Sequence, residues 1–269
     1  MMNILLTNDD GIQAPGLWTA ARVLAGFGSV LVVAPAANQS GYGMALPPQR
    51  EVTYSHYDSV PAGLRGVIAF SVSASPATCV QVGLSGALSQ RPIDLVVSGI
   101  NDALNLGRDV MVSGTAGAAF TAHLLGKPAL AVSFDAGRSG IPLWETAEWV
   151  LEEVMRSRSW IEELPAPLLN INIPNRSVAE LAGIRITSLS NASCLDRYAI
   201  GARSETTLRI SQKPDFRAAE PEPESDAWAV ARGYVSLTPL RMFPDILCVV
   251  PWDGAWAFES LPVGAYASA

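Results

Sequence analysis

The pattern that most narrows the fold of this chain lies in its first thirty-five residues: an apolar strand, an amphipathic helix and a second apolar strand. Asn3–Thr7 reads as a buried strand, and Leu17, Ala20, Ala21 and Leu24 then fall at i, i+3, i+4 and i+7, the stripe of a helix that ends near Gly26 and Gly28. Val30–Ala34 is a second buried strand, stopped by Pro35. Strands joined through a helix pair in parallel, and a parallel sheet needs helices on both faces.

The alternation continues. Val52, Tyr54 and Val67–Val72 read as strands, and Ser75-Pro76-Ala77 opens a helix through Val80, Val82 and Leu84. Asp94–Ser98 is a further short strand, and Ala116–Leu125 is apolar nearly all round, as a helix inside the domain must be. Ala129–Ser133 is the next strand, Ala147, Val150, Leu151 and Val154 mark another helix, and Leu168–Ile173 is a strand closed by Pro174. These elements predict a doubly wound, mostly parallel sheet for residues 1–180. Composition changes over residues 181–269. Ile184–Ser188 and Thr206–Ile210 are expected as two strands of a hairpin, Lys213–Ser225 as an exposed link, Asp226–Arg232 as a short helix and Tyr234–Thr238 as a strand. The tail with Trp252, Trp256 and Phe258 is expected to be buried in a partner subunit.

Composition excludes several classes. A net charge of −7 with no basic run argues against a stable complex with nucleic acid, and would repel a phosphate substrate unless a cation were present. Cys79, Cys194 and Cys248 are far apart and odd in number, which suits a reducing compartment; no apolar run reaches membrane-spanning length, and Asp9 and Asp10 come too early for a signal peptide. The expectation is a soluble cytoplasmic protein. With only His56 and His123, a multi-histidine zinc site is impossible, and His123 is expected in the core. Neither a Gly-x-Ser-x-Gly elbow nor a P-loop is present.

What remains is oxygen chemistry. Asp9 and Asp10 follow the first strand, Ser40 lies in the loop after the second, and Asn101 follows the strand at 94–98. If these strands are neighbours, all three loops open on one edge, and their oxygens form a hard site suited to Mg2+ or Mn2+. The plainer alternative is that Asn8-Asp9-Asp10-Gly11 is only a turn capping the next helix. Ser113-Gly114-Thr115 precedes the buried helix, where free N–H groups seat an anion, with Asn105 as a further amide donor; its plainer alternative is an ordinary helix cap. A cation site and an anion seat on one edge are what phosphate-ester hydrolysis needs.

These residues resemble, in order, the motifs of the SurE survival-protein family: Asn3-Ile-Leu-Leu-Thr-Asn-Asp-Asp-Gly11, Asn38-Gln39-Ser40-Gly41, Ser98-Gly99-Ile100-Asn101, Ser113-Gly114-Thr115, Asn170-x-Asn172-x-Pro174 and Gly233–Leu240. Members of that family are metal-dependent 5'/3'-nucleotidases. The resemblance implies a three-layer, Rossmann-like α/β/α core with a C-terminal arm exchanged within a homodimer or homotetramer. It also implies metal ligands at Asp9, Asp10, Ser40 and Asn101, phosphate contacts at Ser113, Gly114 and Thr115, and a substrate loop with Asn38 and Gly41. The chain departs from the family at Ala103, at Val112, at Gly43-Met44-Ala45-Leu46 and at Thr78, which leaves every metal ligand in place and alters the walls expected around the phosphate and base.

The resulting expectation is a phosphomonoesterase that hydrolyses nucleoside 5'-monophosphates, and 3'-monophosphates as well, with Asp9 or Asp10 orienting or deprotonating the attacking water. One alternative is a nucleotide- and metal-binding homologue without efficient hydrolysis. A phospho-acceptor receiver domain ranks last, because Asp94 begins its strand instead of ending it.

Overall fold

Period-two burial along the strands assigns each apolar residue to one face of a sheet or the other. Ile4 and Leu6 pack into one hydrophobic cluster while Leu5, between them, packs into the opposite one. The computed structural model describes residues 1–46, 48, 51–89, 91–136, 141–157, 167–191, 197–203, 208–213, 221–243 and 246–249. The strands are β1 (Met2–Thr7), β2 (Gly28–Pro35), β3 (Tyr54–His56), β4 (Val67–Val72), β5 (Leu95–Asn101), β6 (Ala129–Phe134), β7 (Leu168–Ile173), β8 (Gly183–Ile186), β9 (Arg197–Arg203), β10 (Leu208–Lys213), β11 (Tyr234–Phe243) and β12 (Ile246–Val249). The helices are α1 (Pro15–Leu24), α2 (Pro76–Leu84), α3 (Gly114–Leu124), α4 (Trp144–Arg156) and α5 (Asp226–Ala231).

Ten strands form one sheet in the order β12-β11-β7-β6-β5-β1-β2-β4-β3, with β8 pairing onto β11. From β7 to β4 every pairing is parallel. Counted along the chain these six strands stand in the order 3-2-1-4-5-6, the doubly wound Rossmann arrangement. Helices α1 and α4 pack together on one face, and α2 and α3 on the other, which makes three layers. The expected stripes are the buried ones: Leu17, Ala20, Ala21 and Leu24 on α1, and Ala147, Val150, Leu151 and Val154 on α4, are all inaccessible to solvent. Each buried leucine among them contributes about 1.5–3 kcal/mol.

The second half of the chain required correction. Ile184–Ser188 does not form a hairpin with Thr206–Ile210. Instead β8 runs parallel to β11, and the hairpin is β9 with β10. Strand β11 extends beyond the expected Thr238 to Phe243 and lies antiparallel against β7, so the sheet continues past residue 180. Ser225, the expected end of an exposed link, is buried as the cap of α5. The aromatic tail lies outside the described residues. His123 stands half-buried in the last turn of α3 instead of in the core.

This order places the site. Strands β1 and β5 are neighbours, yet the chain leaves them toward opposite ends of the sheet, β1 to β2 and β5 to β6. Their carboxyl ends therefore flank the crevice where open α/β sheets bind ligands.

Candidate active site

The turn after β1 is held by Asn8, not by the aspartates. Buried Asn8 donates from Nδ2 to the Gly11 carbonyl at 3.0 Å and accepts the Gly11 N–H on Oδ1 at 3.3 Å. Helix α1 begins at Pro15, and Ala14 before it supplies no side-chain cap. Asn8 thus closes the turn, α1 opens on Pro15 with no side chain capping it, and both carboxylates are left for other partners. Gly16 lets α1 start here: a Cβ at this position would lie 1.9 Å from the Ile100 carbonyl oxygen of β5.

Asp9 is 3% exposed, and its Oδ1 accepts the Thr115 hydroxyl at 2.5 Å. A Cβ on Gly114 would come within 2.7 Å of Asp9 Cβ and Oδ2, so the start of α3 is pressed against this carboxylate. Asp10 Oδ2 accepts the Asp102 N–H at 3.4 Å, a long contact that ties the turn after β1 to the end of β5. On the other side, the Gln39 N–H donates to the Asp9 carbonyl at 2.6 Å, and Ser40 follows directly. Ser40 donates its own N–H to Asn38 Oδ1 at 2.9 Å, forming the loop's tight turn, and a Cβ on Gly41 would meet open space. Asn101 donates from Nδ2 to the Ala103 carbonyl at 2.6 Å, which leaves its amide oxygen as an acceptor. The turns after β1, β2 and β5 and the start of α3 therefore meet on one edge.

The predicted anion seat is partly used from within. Ser113 caps α3, its hydroxyl accepting the Ala116 N–H at 3.0 Å, so the ordinary-cap reading is correct as far as it goes. Thr115 is committed to Asp9. Asn105 belongs to a buried amide network: its N–H donates to Asn172 Oδ1 at 2.8 Å, its Nδ2 to Ser133 Oγ at 2.8 Å, and its carbonyl accepts from Asn170 and Asn172 at 2.9 and 3.0 Å. This is a reason for the Asn170-x-Asn172 spacing: residues two apart on β7 share a face.

Sequence reasoning missed two residues. Asp102 adds a third carboxylate beside Asp10; its only signal was its place next to Asn101. Asp226, fully buried at the start of α5, accepts the Gly107 N–H at 2.8 Å and the Ser190 N–H at 2.9 Å, tethering the loop that leads to Ser113. Nothing in the local pattern around Asp226 announces a partner 119 residues away.

The electrostatics of the pair are those of uncompensated negative charge. Burial raises the Asp9 carboxyl above its ordinary range, opposed by the Thr115 hydroxyl. Burial, then the neighbouring charges of Asp9 and Asp102, push Asp10 up to about 7. Among the described residues no lysine, arginine or histidine bridges to either. A divalent cation fits this arrangement, because it replaces the protons and supplies the missing counter-charge. Among the described residues no three carboxylate, imidazole or thiol groups cluster as a ready cage, so such a cation would need neutral oxygens beside Asp9 and Asp10.

Fold and site together define a class: a doubly wound α/β protein with paired carboxylates and a helix N-terminus at its topological switch point. A family model for the survival protein SurE matches residues 4–195, and the chain belongs to that family. It is 38% identical over 243 residues to the 5'/3'-nucleotidase SurE of Klebsiella pneumoniae, covering 90% of each chain. It is 33% identical over 240 residues to the 5'-nucleotidase SurE of Dehalococcoides mccartyi, covering 89% of each. The crystal structure of the SurE protein from Aquifex aeolicus superposes with a TM-score of 0.73 at 32% identity, over 89% of this chain and 93% of that one.

Proposed function

We propose that the protein is a metal-dependent 5'-nucleotidase, also active on 3'-monophosphates, that hydrolyses nucleoside monophosphates to nucleoside and phosphate. The reading is supported above all by the bond between Thr115 and Asp9, which makes the carboxylate pair and the start of α3 a single site. It is further supported by the names of the relatives. Asp9, Asp10, Asn101 and Ser40 would hold Mg2+ or Mn2+. When bound, the cation supplies Lewis acidity toward phosphate and water and offsets the charge of both carboxylates.

The chain's own residues do the rest. Asp10 or Asp9 orients the attacking water and takes its proton. The Gly114 N–H and the Ser113 hydroxyl face the phosphate at the positive end of α3. Thr115 acts through Asp9, holding the carboxylate while the helix end stabilises its charge. Asn105 keeps the intervening loop in place, and Asn38 and Gly41 shape the turn that presents Ser40.

Residues 1–180 serve as the catalytic core, and 181–269 complete the sheet edge and form an oligomerisation arm in a homodimer or homotetramer. The β9–β10 ribbon supports the arm, because it pairs only with itself among the described residues, and a two-stranded ribbon is marginal alone. Among the described residues no helix is long and apolar enough to cross a membrane, and Cys79 is a buried free thiol, which suits the cytoplasm.

The test is phosphate release from a panel of nucleoside monophosphates with Mg2+ or Mn2+, before and after chelation. Turnover that survives complete removal of divalent ions, or no turnover of any nucleotide with either metal, overturns the proposal.

A further inference from the structure

Helix α5 and the two strands beside it carry a ladder of rings and guanidinium groups. Trp228 of α5 and Tyr234 of β11 lie nearly parallel, with 5° between their planes and 6.3 Å between their centroids. Arg232, just past α5, sets its Cζ 4.5 Å from the centre of the Trp228 ring. Arg185 of β8 sets its Cζ 4.6 Å from Tyr234 and 5.9 Å from Trp228. Both rings are half-buried and both arginines are exposed. A third cation stands near: the Arg176 guanidinium lies against Gly233, where a Cβ would meet its Nη1 at 2.6 Å.

The charge of this patch runs against that of the chain, which is −7 overall. Among the described residues none of the three arginines forms an ion pair, although Arg176 acts on exposed Glu180 from a distance. Arg185 and Arg232 make only their contacts with the rings. A guanidinium held at a ring face keeps its fork of N–H donors available, and it has less freedom to lose when an anion arrives.

The chemistry narrows the ligand. Oxyanions accept from such forks two bonds at a time, so two forks beside one indole suit a ligand with two adjacent oxyanion groups. The rings face each other and the arginines, which leaves little aromatic surface for a base to stack on. A long polyanion would meet the repulsion of the whole acidic chain. A short one feels mainly the charges within a Debye length, about 8 Å at physiological salt.

The same helix is tied to the candidate active site. Asp226 opens α5 two residues before Trp228 and accepts the Gly107 N–H at 2.8 Å, holding the loop that leads to Ser113. We propose that Arg185 and Arg232 form a second, non-catalytic anion site for a diphosphate group, free or carried by a nucleotide, and that its occupancy steadies α5 and, through Asp226, the loop from Gly107 to Ser113. This site is separate from the carboxylate pair and does not depend on the nucleotidase reading.

The experiment uses the full chain in chelator, so that the carboxylate pair has no cation with which to attract phosphate. The probes are inorganic diphosphate, ADP and a hexaglutamate peptide, with binding measured by calorimetry. The wild type is expected to bind diphosphate with a Kd below about 1 mM. Arg185→Gln and Arg232→Gln should each weaken it about tenfold, whereas Arg65→Gln, which removes the same charge from another exposed position, should change it less than about twofold. Arg232→Lys keeps the charge without the fork, should fall between, and carries the test if a glutamine variant fails to fold. ADP should bind about as tightly as diphosphate, and hexaglutamate about tenfold more weakly. Diphosphate should slow hydrogen exchange at the Gly107 amide about threefold or more in the wild type and leave it unchanged in Arg232→Gln. The site is overturned if the wild type binds no diphosphate at about 10 mM, or if Arg65→Gln loses as much as the ladder variants. Hexaglutamate binding as tight as that of diphosphate assigns the patch to an acidic segment instead, and ADP binding about tenfold tighter shows a base contact; either overturns the diphosphate assignment. Binding that leaves Gly107 exchange unchanged overturns the link to the loop. Success here in a chain that turns over no nucleotide keeps this site and removes the proposed activity.

Discussion

The Thr115 hydroxyl donates to Asp9 Oδ1 at 2.5 Å, joining residues 106 apart in sequence. One partner lies in the turn after the first strand and the other in the first turn of the buried helix α3. A hydrogen bond to a buried charged group contributes about 1.5–3 kcal/mol, more than an ordinary neutral one. It also sets the direction of the carboxylate on which the proposed chemistry depends. Replacing Thr115 by valine keeps the shape and removes the donor, so nucleotide turnover should fall about tenfold or more, while Thr115→Ser should retain most of it. Asp9→Asn should cost about a thousandfold or more, since it removes charge as well as direction. Steady-state kinetics at saturating Mn2+ measures all three, and near-normal turnover in Asp9→Asn removes Asp9 from the machinery.

Gly114 is the second point of contact. An alanine there would set its methyl 2.7 Å from Asp9 Cβ and Oδ2, which forces the strand end and the helix start apart. Gly114→Ala should cost about 1–3 kcal/mol of stability and a larger share of activity. Urea denaturation read alongside kcat separates the two. A variant with wild-type kcat would mean that the spacing of Asp9 and α3 has no bearing on turnover.

Asp10 carries a pH signature. In the folded chain without divalent ions its carboxyl is pushed up to about 7 from 3.8, so the folded state keeps a proton that the unfolded state has released. Stability of the metal-free protein should therefore fall as pH rises from about 4 to about 7. Asp10→Asn should flatten that part of the profile, and Mn2+ should offset the loss at neutral pH. Thermal denaturation in chelator at a series of pH values reads the effect. A wild-type-minus-variant difference that is constant across the window contradicts it.

Asp226 predicts an effect at a distance. Its carboxylate accepts the Gly107 and Ser190 N–H groups in the interior, and truncation would leave both donors without an acceptor. Asp226→Ala should cost about 3 kcal/mol or more, at about 1–3 kcal/mol for each stranded group together with lost packing. The loop from Gly107 to Ser113 should loosen with it, raising KM for nucleotide more than it lowers kcat. Asp226→Asn, which keeps one acceptor oxygen, should fall between the variant and the wild type on both measures.

Local patterns carried the first half of the fold. The strand at Asn3–Thr7, the stripe of α1 and the apolar circumference of α3 are all set by neighbours within a few residues, and the sheet class follows from their alternation. The Asp-Asp turn, Asn101 and Ser113–Thr115 were legible because each sits at the end of such an element. Beyond residue 180 the same reasoning found the helix at Asp226 and the strand at Tyr234 but mispaired the strand at Ile184. Ile184 had a strand pattern, but its partner was Val235, not a residue of the next strand in sequence. Val52 and Tyr54 signalled a strand, and its place at the sheet edge against β4 came only with the fold.

The sequence by itself determined the strands and helices of the first 180 residues to within a few residues, and which oxygen-bearing residues stand near their ends. Hydrophobic periodicity, proline and glycine act over one or two turns, so their message is complete within a short window. Only the tertiary structure decided that Thr115 holds Asp9, that Asp226 tethers Gly107, and that a neutral cavity opens beside Gln39. Those relations arise when distant backbone donors lose water together and must find acceptors in whatever the packing brings near, a condition no stretch of sequence contains.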